Sequence, residues 1–141
     1  MAIVFAKLNY PNHYKMQDMK NGTINLVDLD FEYKMWKNRL TLFVQEIDIL
    51  KNRNEEVKTE VYIEELNTVE LMVLDEHIDQ LKKLLNRIKV QESEMQYYNK
   101  DFPITTDHKY YKEHETLRKQ MVSISKIHLS RVADLTHALG I

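Results

Sequence analysis

Cysteine is absent from this 141-residue chain, which removes disulfides, thiolate metal sites, thiol nucleophiles and a cysteine lipid anchor. Glycine and proline occur only twice each, too few to punctuate a chain of strands and turns, so long helices are expected. No run approaches the roughly 20 apolar residues that span a bilayer. The apolar start, Met1 to Leu8, lacks the basic lead and the length of a secretory signal. These absences predict no membrane partner and a cytoplasmic location. A formal charge of −2, with Lys and Arg interleaved among Asp and Glu, gives no pull toward nucleic acid. Gly22 and Gly140 stand alone, so there is no glycine-rich phosphate loop, and no Gly-x-Ser-x-Gly elbow occurs.

What the chain does have is a 4-3-4-3 apolar spacing in three segments. The first is Leu29, Tyr33, Trp36, Leu40, Phe43, Ile47, Leu50. The second is Leu71, Leu74, Ile78, Leu81, Leu85, Ile88. The third is Tyr110, His114, Leu117, Met121, Ile124, His128, Arg131, Leu135. Alternating steps of four and three keep side chains on one stripe of a helix. The fold class expected is all-α: an antiparallel bundle of three long helices with an irregular N-terminal arm. Residues 1–27 form the arm, and 28–141 form the bundle, one domain of ordinary size.

Asp28 or Asp30 is the expected cap of the first helix, which runs into the low fifties, with a turn between 52 and 60. The second helix extends to about 99. Its apolar phase changes upstream of Leu71, predicting a kink or a late start near 66–68, beside Asn67-Thr68. Pro103 ends the following loop, because proline disfavours helical geometry in the residue before it. Thr105, Thr106 or Asp107 is the expected cap of the third helix, which ends near 138 with Gly140 as a stop. A second helix of about 40 residues against about 26 for the first, roughly 60 Å against 39 Å, would leave apolar surface uncovered. Self-association as a homodimer would cover it.

Polar residues interrupt the seams. Equal rise in antiparallel helices around a loop near 103 puts positions whose numbers sum to about 206 at one height. Glu92 then meets His114, and His77 meets His128, with Trp36 or Leu40 near the second level. Glu92–His114 reads as a register-fixing polar pair, or as half of a metal or acid–base site. A metal alternative draws on His77, Glu92, His114 and His128, with Glu70 and Glu76 near in sequence; no cofactor is otherwise called for. The Glu-x-x-His pairs of ferritin-like di-iron bundles are missing, since Leu74, Tyr111 and Ser125 stand three residues before His77, His114 and His128. Tyr97-Tyr98 and Tyr110-Tyr111 flank the loop and read as an aromatic plug or a binding surface. Arg131 reads as a rim residue or as the partner of a carboxylate on a neighbouring helix or chain.

The segment from Pro103 through Asp107, His108, Tyr110, His114, Leu117 and Arg118 resembles a region of an uncharacterised family of small helical-bundle proteins from Bacteroidetes-type bacteria. There a Pro is followed by Asp-His, an aromatic, a second His and Leu-Arg. Trp36 followed by Leu40, Phe43 and Glu46 fits the same group. The resemblance implies a small all-helical protein and supplies no activity. The candidate binding cluster is Glu92, Asp107, His108, His114 and Arg118. The function expected is a non-enzymatic interaction or structural module acting through self-association or a protein partner. A metal- or small-ligand-binding bundle centred on Glu92 and His114 is the alternative.

Overall fold

A computed structural model describes residues 22–58, 65–98 and 101–140. The elements run β1 (Thr23–Asn25), α1 (Leu26–Val57), α2 (Thr68–Met95), β2 (Pro103–Thr105) and α3 (Lys109–Ala138), and the three helices pack on one another. Cross-helix bonds give the directions. Lys37–Glu92 and Lys51–Asp75 set α1 antiparallel to α2. Arg87–Glu113 and His77–His128 set α2 antiparallel to α3. Glu32–His114 and Glu46–His128 share one sequence separation, 82, so α1 and α3 run parallel. The all-helical bundle expected from the apolar spacing is what forms.

The core is the predicted stripe. Leu29, Tyr33, Trp36, Leu40, Ile47 and Leu50 of α1 meet Leu74, Leu81 and Ile88 of α2 and Leu117, Met121 and Leu135 of α3, all buried. The phase change before Leu71 marks a late helix start. Asn67 caps α2 in a capping box: its Oδ1 accepts from Glu70 N–H, and Glu70 Oε1 accepts from Asn67 N–H, each at 2.9 Å.

Several boundaries differ from expectation. α1 begins at Leu26, and neither Asp28 nor Asp30 is its cap. Its first N–H, that of Leu26, donates to the Phe102 carbonyl at 3.2 Å, and Asp28 lies in the first turn, where its charge suits the helix dipole. α1 ends at Val57, inside the stretch expected for the turn; Asn54 in its last turn is buried, and its Oδ1 accepts from Leu66 N–H at 2.7 Å, tying the approach to α2 onto α1. α3 is capped by His108, whose Nδ1 accepts from Tyr110 N–H at 3.1 Å, rather than by Thr105, Thr106 or Asp107. The helices have 32, 28 and 30 residues, about 48, 42 and 45 Å, so the overlong second helix does not exist. Residues 23–27, assigned to the arm, form β1 and the start of α1. β1 pairs antiparallel with β2, Ile24 opposite Ile104, and both isoleucines are buried under the ends of α1 and α3. Gly140, with φ +74°, ends α3 as expected, its N–H bonded to the His137 carbonyl. Phe5, Leu8, Tyr10 and Tyr14 of the expected arm, and Val61, Asn99 and Lys100, lie outside the described residues. Among the described residues, no helix is long and apolar enough to cross a membrane.

Candidate functional site

Two polar clusters sit at different heights of the α1–α3 seam. At the first, Glu32 of α1 faces His114 and Arg118, one turn apart on α3. A single carboxylate oxygen, Glu32 Oε1, lies 2.6 Å from His114 Nε2 and 2.6 Å from an Arg118 Nη. The His114 ring stacks on Trp36 at 4.8 Å and tilts against Tyr33 at 4.5 Å. Burial pushes the His114 imidazole below its ordinary pKa, against the hydrogen bond and charge of Glu32. The neutral ring therefore donates Nε2–H to the carboxylate, and Arg118 balances the charge. Burial, with Glu113 and Glu32 adding to it, raises the Tyr33 hydroxyl far above its ordinary pKa, so it remains a phenol. The three polar side chains are 0–7 % exposed. The cluster joins α3 to α1 inside the bundle.

At the second height, Glu46 Oε1 lies 2.6 Å from His128 Nε2, and His128 Nδ1 lies 2.9 Å from His77 Nε2. Phe43 stacks on His128 at 4.0 Å and His77 lies on it at 5.2 Å. An ionised carboxylate only accepts, so His128 donates from Nε2 and accepts at Nδ1. His77 then donates from Nε2, and its Nδ1 keeps a lone pair. Burial first, then His128 and Arg131, pulls the His77 pKa down to about 4. His77 lines a cavity of about 610 Å³ between α2 and α3, with Lys83, Arg87 and Arg131 also in its wall.

Of the candidate binding residues, the structure joins His114 with Arg118 and leaves the others apart. Glu92 does not meet His114: it pairs with Lys37 Nζ at 2.6 Å. His108 is spent on capping α3, and Asp107 is exposed in the preceding turn. Trp36 belongs with His114, not with the second level. The His77–His128 pairing follows the height rule. The alternative metal set of His77, Glu92, His114 and His128 is split between two heights, and both nitrogens of His128 are already bonded. Among the described residues, no group of three or more His, Asp or Glu side chains is arranged to hold a metal ion. Glu32 was the residue sequence reasoning missed, and its signal was its place between Leu29 and Trp36 on the apolar stripe. At the loop end, Tyr110 and Tyr111 are buried and Tyr98 rests on Phe102 and Tyr110, but Tyr97, Tyr98 and Phe102 remain exposed, so the expected aromatic plug is only partly closed.

The outer face of α1 carries four large apolar side chains, with Asn38 and Gln45 exposed among them. Phe31, Met35, Leu42 and Ile49 are 50–65 % exposed. At 100° per residue they fall within about 40° of one another on the helix wheel. Lys34 and Asp48 flank this stripe on one side, Arg39 and Glu46 on the other. Comparison of the chain with protein-family models, with curated proteins and with solved structures finds no match.

Proposed function

We propose that this chain is a non-enzymatic, cytoplasmic interaction module that works by self-association, pairing the outer face of α1 with the same face of a second copy. The stripe of Phe31, Met35, Leu42 and Ile49 carries the reading. Large apolar side chains at steps of four and seven on a solvent face supply one row of a two-helix seam, with Phe31, Asn38 and Gln45 at the alternate positions. The charges favour an antiparallel pair centred on Leu42. There Met35 meets Ile49 of the second copy, Lys34 comes level with Asp48, and Arg39 with Glu46, each twice by symmetry. A parallel pair would set Lys34 beside Arg39 of the second copy and leave Glu46 opposite the uncharged Thr41. The buried Glu32 cluster fits the same reading, since it ties α3 to α1 and leaves the outer face of α1 free of that duty.

Light scattering in line with size exclusion tests it. The full chain should run at twice its 17.0 kDa mass, and Leu42→Glu should run as a monomer with unchanged helicity. A monomeric parent chain, or a Leu42→Glu variant that stays dimeric, would contradict the reading.

A further inference from the structure

The cavity between α2 and α3 combines space, positive charge and unmatched hydrogen-bonding capacity. Its volume of about 610 Å³ is that of a small-molecule pocket. Leu84, Ile124 and Ile127 form an apolar part of the wall. Lys83, Arg87 and Arg131 face one carboxylate in the lining, Glu76. Arg87 is fixed in place, held by Glu113 Oε2 at 2.7 Å and Gln120 Oε1 at 2.8 Å. Lys83 reaches Asp79 at 3.0 Å, but both side chains are well exposed, and such a pair exchanges readily for a better anion. Arg131 Nε is buried with no hydrogen-bond partner among the described residues.

His77 supplies a second, independent sign. It is 3 % exposed, yet it lines the cavity. The chain from Glu46 through His128 uses its Nε2–H and leaves Nδ1 as an acceptor. Buried polar groups are paired in folded proteins, and the unpartnered Arg131 Nε at this cavity, with an acceptor beside it, points to a ligand that completes it.

We propose that this cavity binds a small organic phosphate: Arg131 and Lys83 take the phosphoryl oxygens, Leu84 and Ile127 cover the carbon skeleton, and His77 Nδ1 accepts from a hydroxyl of the ligand. Phosphate is favoured over carboxylate because a guanidinium and an ammonium together match its charge of about −1.5 to −2 near neutral pH. The low basicity of His77 keeps its ring neutral there, an acceptor rather than a third cation.

Calorimetric titration of the full chain with phenyl phosphate, inorganic phosphate and benzoate tests the assignment. Phenyl phosphate should bind one-to-one, about tenfold tighter than either of the others, a difference of about 1.4 kcal/mol. Arg131→Gln should weaken it about tenfold, and Lys83→Gln, at an exposed position that cannot disturb the fold, severalfold. Absence of saturation, equal affinity for benzoate or inorganic phosphate, or phenyl phosphate binding unchanged in both variants would overturn the proposal.

Discussion

Arg118 and Glu32 show how little a buried charge contributes as a pair and how much it costs alone. Arg118→Met would leave the Glu32 carboxylate enclosed with only a neutral imidazole, and should lower unfolding free energy by roughly 3–5 kcal/mol in urea denaturation. Replacing the cluster together, as Glu32→Leu with His114→Leu and Arg118→Met, should recover most of that loss, since a packed apolar group has no charge to solvate. A triple variant no more stable than Arg118→Met would mean that the cluster does more than hold register. The histidines set the pH response. His77 and His114 are both held below their ordinary pKa in the folded chain, whereas in the unfolded chain they take up protons near 6.5. Protons thus favour the unfolded chain. The stability from these rings is fully present above about pH 6.5 and declines as pH falls toward 4. Urea midpoints should drop between pH 7.5 and 5, and the drop should shrink in His77→Gln; a midpoint that rises on acidification would contradict the assignment. The sequence revealed His77 facing His128 because both lie on apolar stripes at one height. It did not reveal Glu32 as the partner of His114, because α1 and α3 run parallel and the height rule drawn from a single loop relates only α2 and α3. Glu92 was therefore matched to a residue at the right level on the wrong side of the bundle.

At the level of elements, starts and stops were legible where side chains signal them locally. The shift of apolar phase before Leu71, together with Asn67 three residues before Glu70, marks the start of α2. Asn67→Ala removes an acceptor for the free N–H of Glu70 and should cost about 1 kcal/mol, read as a lower urea midpoint with an unchanged slope. An unchanged midpoint would show that the box is not what starts the helix. Where tertiary contacts decide, the sequence was silent. Thr23-Ile24-Asn25 and Pro103-Ile104-Thr105 are too short to show a strand period, and they pair because the chain enters α1 and α3 at the same end of the bundle. That pairing also supplies the Phe102 carbonyl bonded to Leu26 N–H, so α1 needs no side-chain cap and begins before Asp28. Asn54 is a second case: in the last turn of α1 its buried side chain holds the Leu66 backbone, a contact made across the connection that no local pattern shows. Asn54→Leu should destabilise by about 1–3 kcal/mol through the unpaired Leu66 N–H; no loss would show that this N–H finds another acceptor.

For the whole molecule, the argument for a second copy rests on a face rather than on helix length. Helices of 32, 28 and 30 residues nearly match, so no overhang needs covering. An uncovered apolar stripe lies on the outer side of α1, and it was in the sequence all along: Phe31, Met35, Leu42 and Ile49 repeat at helical spacing beside the longer inward stripe, which drew the whole apolar reading to itself. The internal histidines and glutamates leave this face untouched apart from Glu46, which bonds His128 inward and flanks the stripe outward.

Because the chain has no cysteine of its own, single introduced thiols report which residues of two copies meet, and mild oxidation of such variants tests the account most directly. An antiparallel pair centred on Leu42 predicts that Leu42→Cys cross-links to itself. It also predicts that Met35→Cys does so poorly alone yet cross-links efficiently when mixed with Ile49→Cys. Self-linking of Met35→Cys as efficient as that mixed pair, or no cross-link from any of the three, would contradict self-association through this face.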